Sequence, residues 1–216
     1  MGNSQRNLGG HWIFAAFYDR LNAAAEKGYM GDRRSRLLSG AHGEVLEIGG
    51  GTGANLPHYH DARRVVIAEP DPFMRKKLWS KLTRTDIPVE VSDAGAQNLP
   101  FPDDSFDMVV STLVLCTVPD QREALAEIRR VLRPGGKLLF LEHVRGPGNI
   151  ARWQDRILPL WRRLFAGCHP NRDTLASIQA AGFEVRDLEH FKPPVPFSNI
   201  VPHVQGVAVL GNEAHG

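Results

Sequence analysis

The chain has 216 residues, of which 42% are hydrophobic and 23% charged, the composition of one globular domain with a sizeable core. Its 26 Lys and Arg against 24 Asp and Glu leave a net charge of +2, too mild for the concentrated basic face that nucleic acid demands. The basic clusters Arg33-Arg34-Arg36 and Arg162-Arg163 read as solvated helix faces. Two cysteines, Cys116 and Cys168, make no disulfide framework and suit a reducing compartment. The opening MGNSQRNLGGHW lacks a secretory pattern, and Arg6 stands where acylation asks for Ser or Thr. No window of about 18 apolar residues exists, so a cytoplasmic protein is expected, with no membrane span.

Residues 11–27 have the spacing of an amphipathic helix, with Ile13, Phe17 and Leu21 four residues apart. The expected organisation is a helical cap or lid over 1–40 and a ligand-binding domain over 41–216, together one structural unit. Strands are expected at 44–48 (EVLEI), 65–68 (VVIA), 87–92, 106–112 (FDMVVST) and 137–142 (KLLFLE). Helices are expected after the glycine turn that follows the first strand, over 72–84 behind Asp71-Pro72, and over 120–132, where Leu125, Ile128 and Leu132 repeat. Pro134-Gly135-Gly136 breaks the chain before the fifth strand. A helix over 171–181 precedes extended segments at 183–191 and 203–210, joined by a stretch with Pro193, Pro194, Pro196 and Pro202. The alternation predicts an α/β, doubly wound, mostly parallel sheet with helices on both faces; the two late strands predict an antiparallel pair at its edge.

The strongest local signal is Glu47-Ile48-Gly49-Gly50-Gly51-Thr52-Gly53, a strand running into a glycine turn. Glycine lets the backbone turn sharply and lets a ligand come close. Such loops receive either a dinucleotide pyrophosphate or the carboxylate of S-adenosylmethionine (SAM), and Gly49-x-Gly51-x-x-Ala54 fits the dinucleotide fingerprint as well. Glu69, ending the second strand, suits ribose hydroxyls in either case. Three further features separate the two. Glu47 lies two residues before the first glycine, an acid the dinucleotide pattern does not need. Residues 93–107 read DAGAQNLPFPDDSFD, placing an acid after the third strand. Residues 127–143 read EIRRVLRPGGKLLFLEH, a helix, a turn and a strand.

On these three motifs the sequence resembles the class I SAM-dependent methyltransferases of the type 11, ubiquinone-methyltransferase-like group, over about residues 44–145. The resemblance implies a Rossmann-like seven-stranded sheet with its last strand antiparallel. Leu113-Val114-Leu115-Cys116-Thr117-Val118, Glu142-His143-Val144, the segment 153–174 and Pro202-His203-Val204-Gln205-Gly206 look like the thiol S-methyltransferases of animals and their bacterial relatives. The animal proteins carry an N-terminal apolar membrane segment that has no counterpart here, and Gly50 replaces a cysteine or alanine common in them.

The resemblance implies SAM as methyl donor, S-adenosylhomocysteine as product and a small-molecule acceptor, most simply a thiol. Oxygen, carbon or phospholipid-amine acceptors are the alternatives, followed by a nicotinamide-dependent oxidoreductase or a non-catalytic SAM-binding domain. The expected cofactor residues are Gly49, Gly51 and Gly53 in the loop, and Glu69 with Pro70 at the ribose. Asp93 with Ala94 is expected at the adenine, Glu47 at the methionine amine and Tyr18 over its carboxylate. Ser111 and Leu113 end the fourth strand, where open α/β sheets bind ligands. His143, after the fifth strand, is the candidate base. Cys116, Trp153, Trp161 and Phe197, with Phe165, are expected around the acceptor. Cys168-His169 has no second ligand pair at suitable spacing, so no metal site is expected. Oligomeric state is not legible.

Overall fold

The computed structural model describes residues 29–192 and 201–210. The expected 11–27 helix with Tyr18, and the stretch containing Phe197, lie outside the described residues. The first described helix, α1 (Tyr29–Leu38), has no clear signal in the sequence pattern. It buries Met30, Leu37 and Leu38 in the core, so the described part of the 1–40 cap belongs to the packed body.

Seven strands follow: β1 (His42–Ile48), β2 (Asp61–Ala68), β3 (Val89–Ser92), β4 (Phe106–Thr112), β5 (Leu132–His143), β6 (Phe183–Phe191) and β7 (His203–Leu210). They form one sheet in the order β3-β2-β1-β4-β5-β7-β6. The pairs from β3 to β5 are parallel, and β7 runs antiparallel to both β5 and β6. The 192–202 connection is too short for a crossover, which takes a dozen or more residues, so β7 must return antiparallel. It enters between β5 and β6 and leaves β6 at the edge.

Side chains alternate across the sheet. Leu46, Ile48, Val66, Ala68 and Val109 pack on one face against Leu125 and Ile128 of α3 (Gln121–Val131) and Ile178 of α5 (Thr174–Ala180). Val45, Val65, Ile67, Met108 and Val110 pack on the other against Leu37 and Leu38 of α1 and Leu78 of α2 (Pro72–Trp79). Burial on both faces explains why the parallel strands read as unbroken apolar runs. Asp71 and Asp120 cap α2 and α3, each accepting from two backbone N–H groups. The remaining helix, α4 (Asn149–Leu164), buries only Gln154 and exposes Trp153, Leu160 and Leu164.

Several boundaries depart from the sequence reading. No α-helix follows the glycine turn: the chain makes one 3-10 turn, Leu56–His58, because the Asn55 side chain is drawn inward to a buried network. The 72–84 helix stops at Trp79 and resumes as a 3-10 turn at Leu82–Arg84. Pro134-Gly135-Gly136 lies inside β5. Leu132 pairs with Phe106 and Lys137 with Met108, so the turn is an irregularity in the ladder, with Gly135 at φ +77°.

Candidate active site

The sheet order reverses between β1 and β4, because β1 has β2 on one side and β4 on the other. Open α/β sheets bind ligands outside the carboxyl ends of the strands at that point. The glycine loop leaves β1 there. Gly49 N donates to Ala68 O at 2.6 Å, and Gly51 N donates to Glu69 Oε2 at 2.7 Å. The other Glu69 oxygen accepts from Asp71 N at 2.8 Å. Burial pushes the Glu69 carboxyl above its ordinary range, and these two N–H groups oppose the shift. The acid at the end of β2 thus holds the loop at the end of β1.

The glycines divide by cause. A Cβ on Gly50 would stand 2.2 Å from Ile67 Cγ2, and one on Gly49 2.6 Å from Val114 Cγ2. One on Gly53 would stand 2.8 Å from both Leu56 and Leu78. These positions are glycine because the protein is already there. Gly51, at φ +56°, would project a Cβ into space empty to 4 Å. The left-handed backbone and the open volume leave room for a ligand to approach the chain here, at the carboxyl end of β1.

Behind the loop lies a buried polar network. Glu47 Oε1 accepts from Asn55 Nδ2 at 2.9 Å and Oε2 from Tyr59 Oη at 2.8 Å. Arg34, from α1, donates to Asn55 Oδ1 at 2.8 Å and to Thr112 Oγ1 at 2.9 Å. Burial raises the Glu47 carboxyl to about 7, against the hydrogen bonds and the Arg34 charge that favour its ionised form. Arg34, Asn55, Tyr59 and Thr112 carry no motif, and the basic cluster at 33–36 reads as surface. The structure buries Arg34 instead.

A second buried acid organises the ends of β4 and β5. Glu142 accepts from Ser111 Oγ at 2.7 Å, from the N–H groups of Val114 and Leu115 at 3.0 Å each, and from Cys116 N at 3.3 Å. Its carboxyl is raised by burial. Ser111 is fully buried and spends its hydroxyl on Glu142, so it supports the site from behind. Leu113 sits at φ +60°, a left-handed conformation that costs a non-glycine residue about 1–3 kcal/mol. Arg172 fixes the same turn from outside, donating to the carbonyls of Leu115, Val118 and Pro119.

This turn brings Cys116 to Cys168. Their sulfurs are 3.7 Å apart, and His143 Nδ1 is 3.2 Å from Cys168 Sγ. Cys116 is pushed up by its bond to Cys168 and by burial, whereas Cys168 is pulled down to about 4 by Cys116 and His143. Spacing in the sequence offers no partner for Cys168-His169; the folded chain brings Cys168 to Cys116 and His143. The His143 ring packs edge-on against His203 at 4.5 Å.

Of the residues expected at the adenine, Asp93 is exposed and Ala94 half-buried. Pro70 is exposed, and its carbonyl accepts from Arg75 at 2.7 Å. Trp153 is 55% exposed, too open to line an enclosed acceptor pocket. Trp161 stacks on Phe165 at 4.2 Å, and its indole N–H is buried on the Cys168 side. No helix among the described residues is long and apolar enough to cross a membrane.

Residues 46–140 match the family model described as a methyltransferase domain. The thiol S-methyltransferase TMT1B of Homo sapiens is 40% identical over 179 residues, covering 80% of this chain and 73% of its own. The ubiquinone/menaquinone biosynthesis C-methyltransferase UbiE of Shewanella oneidensis is 34% identical, covering 80% of each chain. The crystal structure of a SAM-dependent methyltransferase from Thermotoga maritima superposes with a TM-score of 0.65 at 23% identity, over 92% of this chain and 99% of that one. A glycine cradle open at Gly51, an acid ending β2 and a switch point between β1 and β4 fit the SAM that such enzymes use. The chain belongs to the SAM-dependent methyltransferases, in the family of the thiol S-methyltransferases.

Proposed function

We propose that the protein methylates the sulfur of a small, largely apolar thiol. The supporting observation is the 40% identity to a thiol S-methyltransferase across 80% of this chain. Bound at the glycine loop, SAM supplies a methyl group on a positively charged sulfur. Gly51 offers backbone at close range, and the open volume before it admits the methionine portion. Glu69 turns a carboxylate toward the ribose while holding the loop. Asp93 and Ala94 stand at the adenine end. Glu47, with Asn55, Tyr59 and Arg34 behind it, fixes the floor near the methionine amine. Residues 113–116, pinned by Glu142 and Arg172, form a wall beside the path from the methyl group to the acceptor. The protein contributes chiefly by position, which supplies up to about 7–11 kcal/mol when the reactants are well aligned.

A thiol with pKa near about 8.5 is partly ionised at neutral pH and needs little base. An alcohol or ring carbon needs far more, and His143, at the end of β5 with its ring against His203, is the candidate base beside the expected acceptor wall. The test is S-adenosylhomocysteine release, measured by mass spectrometry, over alkyl and aryl thiols, phenols and quinols. Turnover on thiols, absent in Gly51→Val, is expected. SAM binding with turnover only on phenols or quinols would overturn the thiol reading in favour of chemistry like that named for the 34% identical relative.

A further inference from the structure

Both cysteines of the chain converge on one buried point. Cys116 comes from the turn after β4, Cys168 from the turn after α4, and His143 from the end of β5. The ligating atoms of the three all lie within 4.8 Å of one another. Two sulfurs on one tetrahedral zinc ion, each about 2.3 Å from it, stand about 3.8 Å apart. The observed separation of 3.7 Å, an S–H···S contact between the two thiols, matches that edge. A disulfide needs about 2.0 Å, and the backbone resists that closure. His169 N donates to Cys116 O at 2.8 Å, Cys168 N to Phe165 O at 2.9 Å, and Cys116 N is held by Glu142. Thr174 Oγ1 holds the carbonyl of His143 at 3.1 Å, and the His143 ring lies against His203.

We propose that Cys116, Cys168 and His143 form a zinc site with one open coordination position. Two thiolates and an imidazole are a soft donor set that suits zinc. The two negative charges cancel a divalent cation, so the buried complex is neutral and its desolvation cost is small. Three protein ligands with a vacant fourth position mark a site that takes a reactant, whereas structural zinc sites are closed by four. The site lies at the carboxyl ends of β4 and β5, where this fold presents acceptors. There the zinc takes the acceptor thiol: the S–H proton leaves to solvent, the sulfur stays on the metal as thiolate, and its lone pair forms the new S–C bond as the methyl-to-sulfonium bond breaks. This role rests on the thiol reading; the metal site does not.

The test uses the full chain, freed of any histidine tag and dialysed against metal-free buffer, with zinc measured by mass spectrometry and cobalt(II) titrated into the chelator-treated protein. About one metal per chain is expected, with near-ultraviolet thiolate-to-cobalt bands and strong visible bands of tetrahedral cobalt. Cys116→Ser and Cys168→Ser are expected to lose those bands. His143→Gln, which leaves both sulfurs and disturbs the fold least, is expected to weaken cobalt affinity on the order of tenfold or more with unchanged circular dichroism. Absence of retained zinc and of any cobalt band in the folded wild-type protein overturns the site. Unchanged thiol turnover in zinc-free enzyme overturns the activating role alone. Zinc bound at one per chain without methylation of any thiol supports the site and overturns the thiol reading.

Discussion

Gly51 is the residue on which the cofactor site turns. Its φ of +56° disfavours any side chain, and its Cβ direction points into the volume that SAM must fill. Gly51→Val is expected to weaken SAM binding at least about a hundredfold, since both strain and occlusion act together; titration calorimetry reads it directly. Glu47 gives a pH signature. Its folded carboxyl titrates at about 7 because burial penalises the charge, against 4.5 when free. The folded state therefore holds an extra proton between those values, and stability falls as pH rises through about 7, by a few kcal/mol at most. Glu47→Gln is expected to flatten that slope in urea-unfolding curves; an unaltered slope would assign it elsewhere. Neither the Glu47 shift nor its partners is legible in the sequence, where Glu47 is only an acid before a glycine.

Elements act by holding turns rather than by touching ligand. The 99–103 turn is gripped by α3: Leu99 N donates to Glu127 Oε2 at 2.8 Å, and Arg130 donates to the carbonyls of Leu99 and Phe101. Arg130 holds the Glu127 carboxyl below its ordinary range. The motif at 93–107 and the helix at 120–132 read as separate signals, yet they form one clamp. Glu127→Ala is expected to cost about 1–3 kcal/mol of stability and to raise KM for SAM more than it lowers kcat, because in the proposed binding mode the turn borders the adenine end and not the methyl group. Equal losses in the two would place the turn nearer the reacting atoms. Glu142 does for the 113–116 turn what Arg130 does for 99–103.

At the scale of the molecule, the two apolar layers give a rigid frame whose open edge is the site. Ligand binding to that edge couples to the whole domain. At SAM about a hundredfold above its Kd, folding gains about 2.7 kcal/mol, a rise of about 5–10 °C in Tm for a domain of this size. Thermal unfolding with and without SAM checks this, and no shift would remove SAM as ligand. The exposed Trp153, Leu160 and Leu164 on α4 contribute nothing to that frame among the described residues.

The sequence by itself determined the sheet. Short, β-branched apolar runs such as VVIA and DMVV, bounded by turn residues, suit strands buried on both faces, the glycines after β1 favour a turn there, and the short return before β7 sets its direction. These are local consequences of period, propensity and chain length. Tertiary structure alone decided which polar groups meet. Glu142 and Cys116 lie 26 residues apart, Cys116 and Cys168 52, and Arg34 and Thr112 78. No spacing rule reaches across such distances, because packing of the strands brings those positions together. The same reason brought Cys168 to His143, turned Ser111 from a ligand contact into a support, and made a surface-looking arginine the buried partner of the Glu47 network.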